Sequence, residues 1–130
     1  PELFCKPIIK NYSHQSELQK VALSGHRQFF FGSDSAPHLK KAKFTEFCCA
    51  GVYSTKYAIS NILEFFWLNK KTVNLNKFLT INGSNHYDLD FDKKVLSYKR
   101  NKKSKFQKFT KFEDDFLINY NHYNNLWTQV

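Results

Sequence analysis

The sequence predicts a truncated α/β domain, and three observations support this prediction. The short apolar run from Phe29 to Phe31 lies between polar residues, as is typical of a fully buried parallel strand. Segments with helical spacing of apolar residues lie on both sides of this run. No second strand of this kind is present, although parallel strands occur in sheets covered on both faces. We therefore expect the rest of the sheet to be supplied from outside this chain.

The segment before the predicted strand should be extended at first and then helical. Residues 4–9 are predicted to form a strand end or an extended loop, because Pro7 has no backbone N–H to donate to a sheet. Either Ser13 or Ser16 can cap the helix that follows, and Gly25 stands where a helix usually ends.

Two helices are expected after the strand. Residues 52–68 have a long helical pattern of apolar residues, and residues 75–81 have a shorter one. The cluster Asn82–Asn85 is predicted to form a turn, because Asn, Gly and Ser favour turns. Residues 95–98 and 106–109 then alternate as edge strands do, whereas residues 116–130 have no clear pattern.

The composition favours a folded part of a longer protein. The 130 residues are 42% hydrophobic and 18% aromatic, which is enough apolar material for a core. The chain contains no methionine, so we expect it to be processed or cut from something longer. Its three cysteines are an odd number, and two are adjacent, which predicts a reducing, cytoplasmic setting rather than a disulfide framework. No apolar run approaches the ~18 residues of a membrane helix, so no membrane partner is expected.

The net charge of +9 leaves two interpretations open. Residues 99–105 are the densest basic run, and a small basic module that binds RNA or an acidic partner would have such a run. The composition is also rich in Lys, Asn, Phe, Ile and Tyr, which an AT-rich genome places on solvated faces whatever the function. We favour the solvated face and expect no nucleic-acid partner, because no RNA-recognition or helix-turn-helix signature is present.

Asp34 is the first candidate for a catalytic residue. It follows directly after the predicted strand, which is where α/β barrels assemble their active sites. Gly-Ser-Asp-Ser is also ordinary turn chemistry, so Asp34 could instead cap a turn or the next helix. Its position alone does not decide between the two.

The motif around Asp34 resembles that of a known family. The segment Gly32–His38, with the phenylalanines before it and Cys49–Ser54 after it, resembles the segment that leaves the last barrel strand of the short bacterial dihydroorotases. Cys5–Lys10 resembles the segment after the preceding strand, and the separations agree. Related cyclic amidohydrolases usually have His after this Asp, so Ser35 favours the short bacterial class.

The resemblance implies a fold. It implies that the chain is the C-terminal portion of a (β/α)₈ TIM-type barrel, with a small C-terminal extension. Residues 1–82 would be the last part of the barrel, and residues 83–130 the extension with short strands. Where the family usually has Ala-Pro, this chain has Thr55 and Lys56, so either Ser54 or Thr55 is the expected helix cap.

The resemblance also implies a reaction. Dihydroorotases convert N-carbamoyl-L-aspartate to L-dihydroorotate, and back, in pyrimidine biosynthesis, with a pair of zinc ions that activate a hydroxide. Asp34 would be a zinc ligand and the base that moves a proton between hydroxide and amide nitrogen. His38 would bind the substrate carboxylate, with the backbone groups of Lys6 and Ala50 as further substrate contacts. Considered alone, His38 would more often be a solvent-exposed loop histidine, and only the motif around it favours the substrate contact.

The remaining zinc ligands of the family cannot be matched in this sequence. They are a His-x-His pair, a carboxylated lysine and two further histidines, and no His-x-His pair occurs here. Cys48 and Cys49 lack the spacing of a zinc site and are predicted to pack in a loop. The resemblance therefore implies that an N-terminal barrel portion must complete the site and that this chain alone is inactive. Family members often form dimers, so a homodimer of the parent enzyme is one state that the resemblance leaves open.

Overall fold

The chain forms a small α/β structure in a computed structural model that describes residues 1–8, 11–90, 94–102, 104–124 and 126–130. The described α-helices are α1 (Tyr12–Ser24), α2 (Lys40–Lys43), α3 (Ala58–Leu68) and α4 (Asn82–Tyr87). The described strands are β1 (Tyr98–Asn101), β2 (Phe109–Phe112), β3 (Asp115–Ile118) and β4 (Leu126–Gln129). Within these residues, no helix is both long enough and apolar enough to cross a membrane.

The strands form two separate antiparallel ribbons. β1 pairs with β4, with Tyr98 opposite Gln129, and β2 pairs with β3, with Phe109 opposite Ile118. The predicted edge strands were placed too early, since β1 and β2 begin only at the last residue of each predicted segment. The partner strand decides where each ladder begins, and alternation in one segment does not reveal its partner.

The prediction of a parallel strand at Phe29–Phe31 is wrong for this structure. These residues are irregular, and the backbone N–H of Phe31 donates to the carbonyl of Phe78, in a helical segment, at 2.9 Å. A strand requires a neighbouring strand, and none lies beside this run among the described residues. The prediction for residues 4–9 is also not confirmed as a strand, because residues 4–8 are irregular and residue 9 lies outside the described part.

Helix α1 ends as predicted but begins differently. Gly25 follows it with φ +73°, the left-handed conformation that glycine adopts without strain. The cap at its start is Asn11, whose side-chain oxygen accepts from the N–H of His14 at 3.2 Å. Ser13 is already inside the helix and donates to the Asn11 side chain, so the prediction of a serine cap was wrong.

Helix α3 is the centre of the packing. It begins at Ala58, after a 3-10 turn over Thr55–Tyr57, and so later than predicted. Its Phe66 is completely buried, and the ring centroid of Phe66 lies 5.5 Å from that of Phe78. β4 packs against the same helix. The C-terminal ribbon thereby covers one side of α3.

The chain from residue 72 to residue 87 is helical throughout most of its length. A 3-10 turn (Thr72–Asn74) and a π-helical turn (Lys77–Ile81) lead directly into α4. The turn predicted at Asn82–Asn85 was therefore wrong. Asn82 is buried in this helix, where its side-chain amide finds tertiary partners that local propensity cannot reveal. Helix α4 also runs across the predicted boundary between residues 82 and 83. The division into a barrel part and an extension therefore stays a prediction.

Candidate active site

Asp34 lies on a short loop that is fixed on both sides of it. The hydroxyl of Ser54 donates to the carbonyl of Ser33 at 3.3 Å, and the N–H groups of Ser54 and Thr55 donate to the Ser35 hydroxyl at 3.1 and 3.2 Å. The Asp34 side chain is exposed, and its φ of +42° is left-handed. Asp tolerates that conformation better than most residues, and such positions are frequent at functional sites. The loop therefore presents a carboxylate at a defined place.

His38 contacts the backbone of Ala50. Its Nε2 lies 3.0 Å from the Ala50 carbonyl oxygen, and both residues are half-buried. A carbonyl oxygen only accepts, so Nε2 must carry a hydrogen and donate it. The other ring nitrogen, Nδ1, has no hydrogen-bond partner among the described residues. Nδ1 is consequently the ring atom that could face a ligand.

Gly51 allows the two segments of the site to approach closely. Its φ is +144°, and a Cβ there would lie 2.6 Å from the Ala36 Cβ and 2.9 Å from His38 Nε2. The N–H of Ala36 also donates to the Val52 carbonyl at 3.1 Å. Only glycine fits at position 51, because any side chain would collide with the histidine and with the loop beneath it.

Lys6 lies beside this site and is exposed. The N–H of Gly51 donates to the carbonyl of Phe4 at 2.9 Å, which ties the N-terminal segment to the Ala50–Gly51 turn. Lys6 lines a shallow pocket with Phe47 and Cys48. The structure thus brings His38 and Ala50 into contact and holds the Lys6 segment next to them. Asp34 has no hydrogen bond or ion pair to another residue of the described chain.

Lys43 is a residue that the sequence did not single out. It is only 3% exposed, and its Nζ donates to three backbone carbonyls, those of Phe4, Cys49 and Gly51. In the sequence it is one of three lysines in Lys40–Lys43, where every lysine looks equally suited to a solvated face. No local signal distinguished it, because its acceptors lie outside its own helix.

β3 and the residue after it contact both ends of the segment from residue 39 to residue 53. Leu39 forms an isolated bridge with Leu117, and Tyr53 forms one with Asn119. The N–H of Tyr120 donates to the Tyr53 carbonyl at 2.9 Å. Residues 39 and 53 bracket the segment that contains the Ala50–Gly51 turn, so β3 and the residue after it contact the chain on both sides of that turn.

The described residues do not form a zinc site by themselves. Nowhere in the part of the chain that the structure describes do three His, Cys, Asp or Glu side chains gather as a metal site requires. Cys5, Cys48 and Cys49 are unpaired thiols, and the Cys48 Sγ lies 3.7 Å from the Pro1 carbonyl oxygen. Asp34 can offer one carboxylate, which does not hold zinc usefully without further ligands.

Curated relatives of the chain share one name. A dihydroorotase of Jannaschia sp. (strain CCS1) is 45% identical over 68% of this chain and 26% of its own length. A dihydroorotase of Idiomarina loihiensis is 44% identical over the same shares. The chain therefore spans about a quarter of the length of the curated relatives that it matches. No family model matches it.

Solved structures give the same result over the whole chain. A dihydroorotase from Saccharomyces cerevisiae, in complex with 5-fluoroorotic acid, superposes with a TM-score of 0.85 at 32% identity. That match covers 100% of this chain and 37% of the yeast chain. A dihydroorotase from Campylobacter jejuni gives a TM-score of 0.80 at 34% identity, over 99% of this chain and 37% of that one.

Proposed function

Since this chain belongs to the dihydroorotase family over a part of its members' length, we propose that it is the C-terminal portion of a dihydroorotase of the short bacterial class. The complete enzyme would interconvert N-carbamoyl-L-aspartate and L-dihydroorotate in pyrimidine biosynthesis, in the cytoplasm. The observation that carries this proposal is the contact between His38 and the Ala50–Gly51 turn, beside the loop that presents Asp34.

Asp34 is the proposed catalytic residue. Its carboxylate would accept a proton from water as the water attacks the ring amide carbonyl, and would return that proton to the amide nitrogen as the C–N bond breaks. Ring closure is the same sequence in reverse. The exposed carboxylate between two anchored serines suits this role, because a base must keep its place while it gains and loses a proton.

His38, Ala50 and Lys6 are the proposed substrate contacts. The Ala50 N–H has no hydrogen-bond partner among the described residues, so it can donate to a substrate carboxylate. His38 donates Nε2–H to the Ala50 carbonyl, so a carboxylate would meet Nδ1. Nδ1 donates only when the ring carries its second proton, and a positively charged ring suits an anionic ligand. Lys6 would contribute its backbone.

Zinc is the proposed cofactor of the complete enzyme, although the described residues of this chain do not form a zinc site. Asp34 would supply one ligand. The other ligands would have to come from an N-terminal barrel portion, which we propose as the essential partner of this chain. A homodimer of the complete enzyme is a further proposal.

An apolar groove between α1 and the N-terminal segment supports this partner. Its lining residues are mostly apolar, with two glutamines of α1 among them: Pro7, Ile8, Gln15, Leu18, Gln19, Ala22 and Phe65. Ile8, which precedes α1, is 71% exposed, and Leu18 of α1 is 64% exposed, so two adjoining apolar side chains are left in contact with water. An N-terminal barrel portion would cover this groove, since helices outside an α/β barrel pack on its sheet.

Co-expression with an N-terminal barrel portion tests the proposal. That portion would come from sequence encoded upstream of Pro1, or from the Campylobacter jejuni relative; the product is called the completed enzyme below. We expect zinc and dihydroorotate ring opening only in the completed enzyme, whereas the chain alone should aggregate or fold partly and bind no stoichiometric zinc. Turnover with tight zinc binding by the chain alone would contradict the proposal, as would an upstream sequence without a His-x-His pair.

A further inference from the structure

Lys43 is buried, and its partners among the described residues are backbone carbonyls rather than carboxylates. Its Nζ lies 3.0 Å from the Phe4 carbonyl oxygen, 2.9 Å from that of Cys49 and 2.7 Å from that of Gly51. An ammonium group has three N–H donors, so each donor has one acceptor. None of the ion pairs between described residues includes Lys43. Three carbonyl dipoles, rather than an acid, compensate the loss of water around this charge.

The three acceptors fix the shape of the turn. The carbonyls of Cys49 and Gly51 point to Lys43, whereas the carbonyl of Ala50 between them points to His38. The carbonyls of three consecutive residues thus each accept a side-chain hydrogen bond, two from Lys43 and one from His38. The Ala50 N–H, which belongs to the same stretch, is left without a hydrogen-bond partner in the described chain.

We propose that Lys43 is a positioning residue that holds the Ala50–Gly51 turn in the shape needed to bind the anionic part of the substrate. It would act through the Ala50 N–H and through His38, and would not itself touch the substrate. Because no carboxylate of the described residues pairs with it, its charge also favours an anion at the turn. This inference rests on the proposed function, since it assigns Lys43 to the substrate site described there.

Replacing Lys43 by methionine in the completed enzyme tests the positioning role. Methionine has a similar length but no donor, so the three carbonyls would lose their common partner. We expect the KM for dihydroorotate to rise about tenfold or more, because a displaced binding group costs affinity steeply. The value of kcat should change less than about threefold, since Asp34 lies on a separate loop. Lys40→Met is the matched control: Lys40 is an exposed lysine of the same short helix and should leave both constants unchanged.

A double variant separates positioning from a general loss of fold. If Lys43 acts through His38 and Ala50, adding Lys43→Met to His38→Ala should raise KM by much less than the product of the two single effects. Full additivity would overturn the proposal. So would an unchanged KM in Lys43→Met, or a loss confined to kcat.

Nuclear magnetic resonance of the wild-type completed enzyme provides a test that needs neither activity nor a folded variant. The Lys43 ammonium should exchange its hydrogens slowly, whereas that of Lys40 should exchange rapidly. A second, separate comparison uses Lys43→Met where it folds: the ring nitrogen signals of His38 should shift relative to wild type as its contact with Ala50 loosens. If the wild-type completed enzyme showed no turnover, only the proposed function would be refuted. A Lys43 ammonium that exchanges as rapidly as that of Lys40 would refute the positioning role alone.

Discussion

Arg100 of β1 donates two hydrogen bonds to the side chain of Glu64 in α3. The Nε lies 2.7 Å from one carboxylate oxygen, and Nη2 donates to the other. Glu64 is only 1% exposed, and it also accepts from the indole N–H of Trp127 at 2.9 Å. Hydrogen bonding and charge from Glu64 raise the pKa of Arg100 above its ordinary value, against the opposing effect of burial. One basic residue of the run 99–105 therefore docks the C-terminal ribbon onto the helix.

Replacing Arg100 by methionine should loosen this ribbon. The buried carboxylate of Glu64 would lose the guanidinium that donates two hydrogen bonds to it, which is destabilising. Both tryptophans of the chain, Trp67 and Trp127, lie at this contact with ring centroids 5.8 Å apart, so tryptophan fluorescence reports on it directly. We expect emission at longer wavelength and a lower urea midpoint. Lys99→Met, an exposed neighbour on the same strand, should show neither change; an unaltered spectrum in Arg100→Met would contradict the prediction.

Gly51→Ala should damage the site, whereas Gly32→Ala should be tolerated. A Cβ at position 51 would meet Ala36 and His38 at under 3 Å in a conformation that side chains rarely adopt, and nothing lies within 4 Å of a Cβ at position 32. We expect Gly51→Ala to lower the free energy of unfolding by about 1–3 kcal/mol and to raise KM. Urea unfolding and steady-state kinetics of the completed enzyme check this. Equal effects of the two substitutions would show that the fit at Gly51 is unimportant.

Asn82→Ala should release the segment that leads to Asp34. The Asn82 side chain donates to the carbonyls of His26 at 3.0 Å and Phe29 at 2.9 Å, and it is buried. Losing both bonds inside the protein should cost about 1–3 kcal/mol of unfolding free energy. Hydrogen exchange should also become faster at residues 29–31. Asn85→Ala, in the same helix but exposed, is the control, and a similar loss there would argue against a specific role for Asn82.

Asp34→Asn and His38→Ala should have different kinetic signatures in the completed enzyme. Asparagine occupies the same space but cannot accept the proton, so kcat should fall by about 10²–10⁴ while zinc stays largely bound through the other ligands. His38→Ala should mainly raise KM. Metal analysis and a ring-opening assay measure both effects, with the exposed Asp90→Asn as a charge control. Near-normal turnover by the Asn variant would remove Asp34 from the mechanism.

The contact between β3 and α2 should weaken in acid. The N–H of Lys41 donates to the Asp115 carboxylate at 3.0 Å, and this bond is the main reason that the pKa of Asp115 lies below its ordinary value. A lowered folded-state pKa stabilises the fold above the unfolded pKa of about 3.9, and the gain is lost as the pH falls through the folded pKa. At neutral pH, the wild-type protein should therefore unfold at a higher urea concentration than Asp115→Asn. In strong acid, the difference between the two urea midpoints should disappear. Asp114→Asn controls for charge; a gap that does not depend on pH would contradict this explanation.

The sequence by itself determined the features that depend only on neighbouring residues. Gly25 ends its helix because a left-handed residue is needed there, and that need is visible from the neighbouring residues alone. The motif from Gly32 to His38 was sufficient to predict the family, which sequence and structural relatives both support. The apolar run Phe29–Phe31 predicted a buried strand, but the structure leaves it irregular, because no strand among the described residues pairs with it.

Only the tertiary structure decided which residues lost water and found distant partners. Lys43 and Asn82 have their acceptors many positions away, and Arg100 lies in a run that composition alone presents as a solvated face. Polar side chains become buried where carbonyls or carboxylates from other segments compensate for lost water. That compensation is non-local, so neither periodicity nor residue type could predict it.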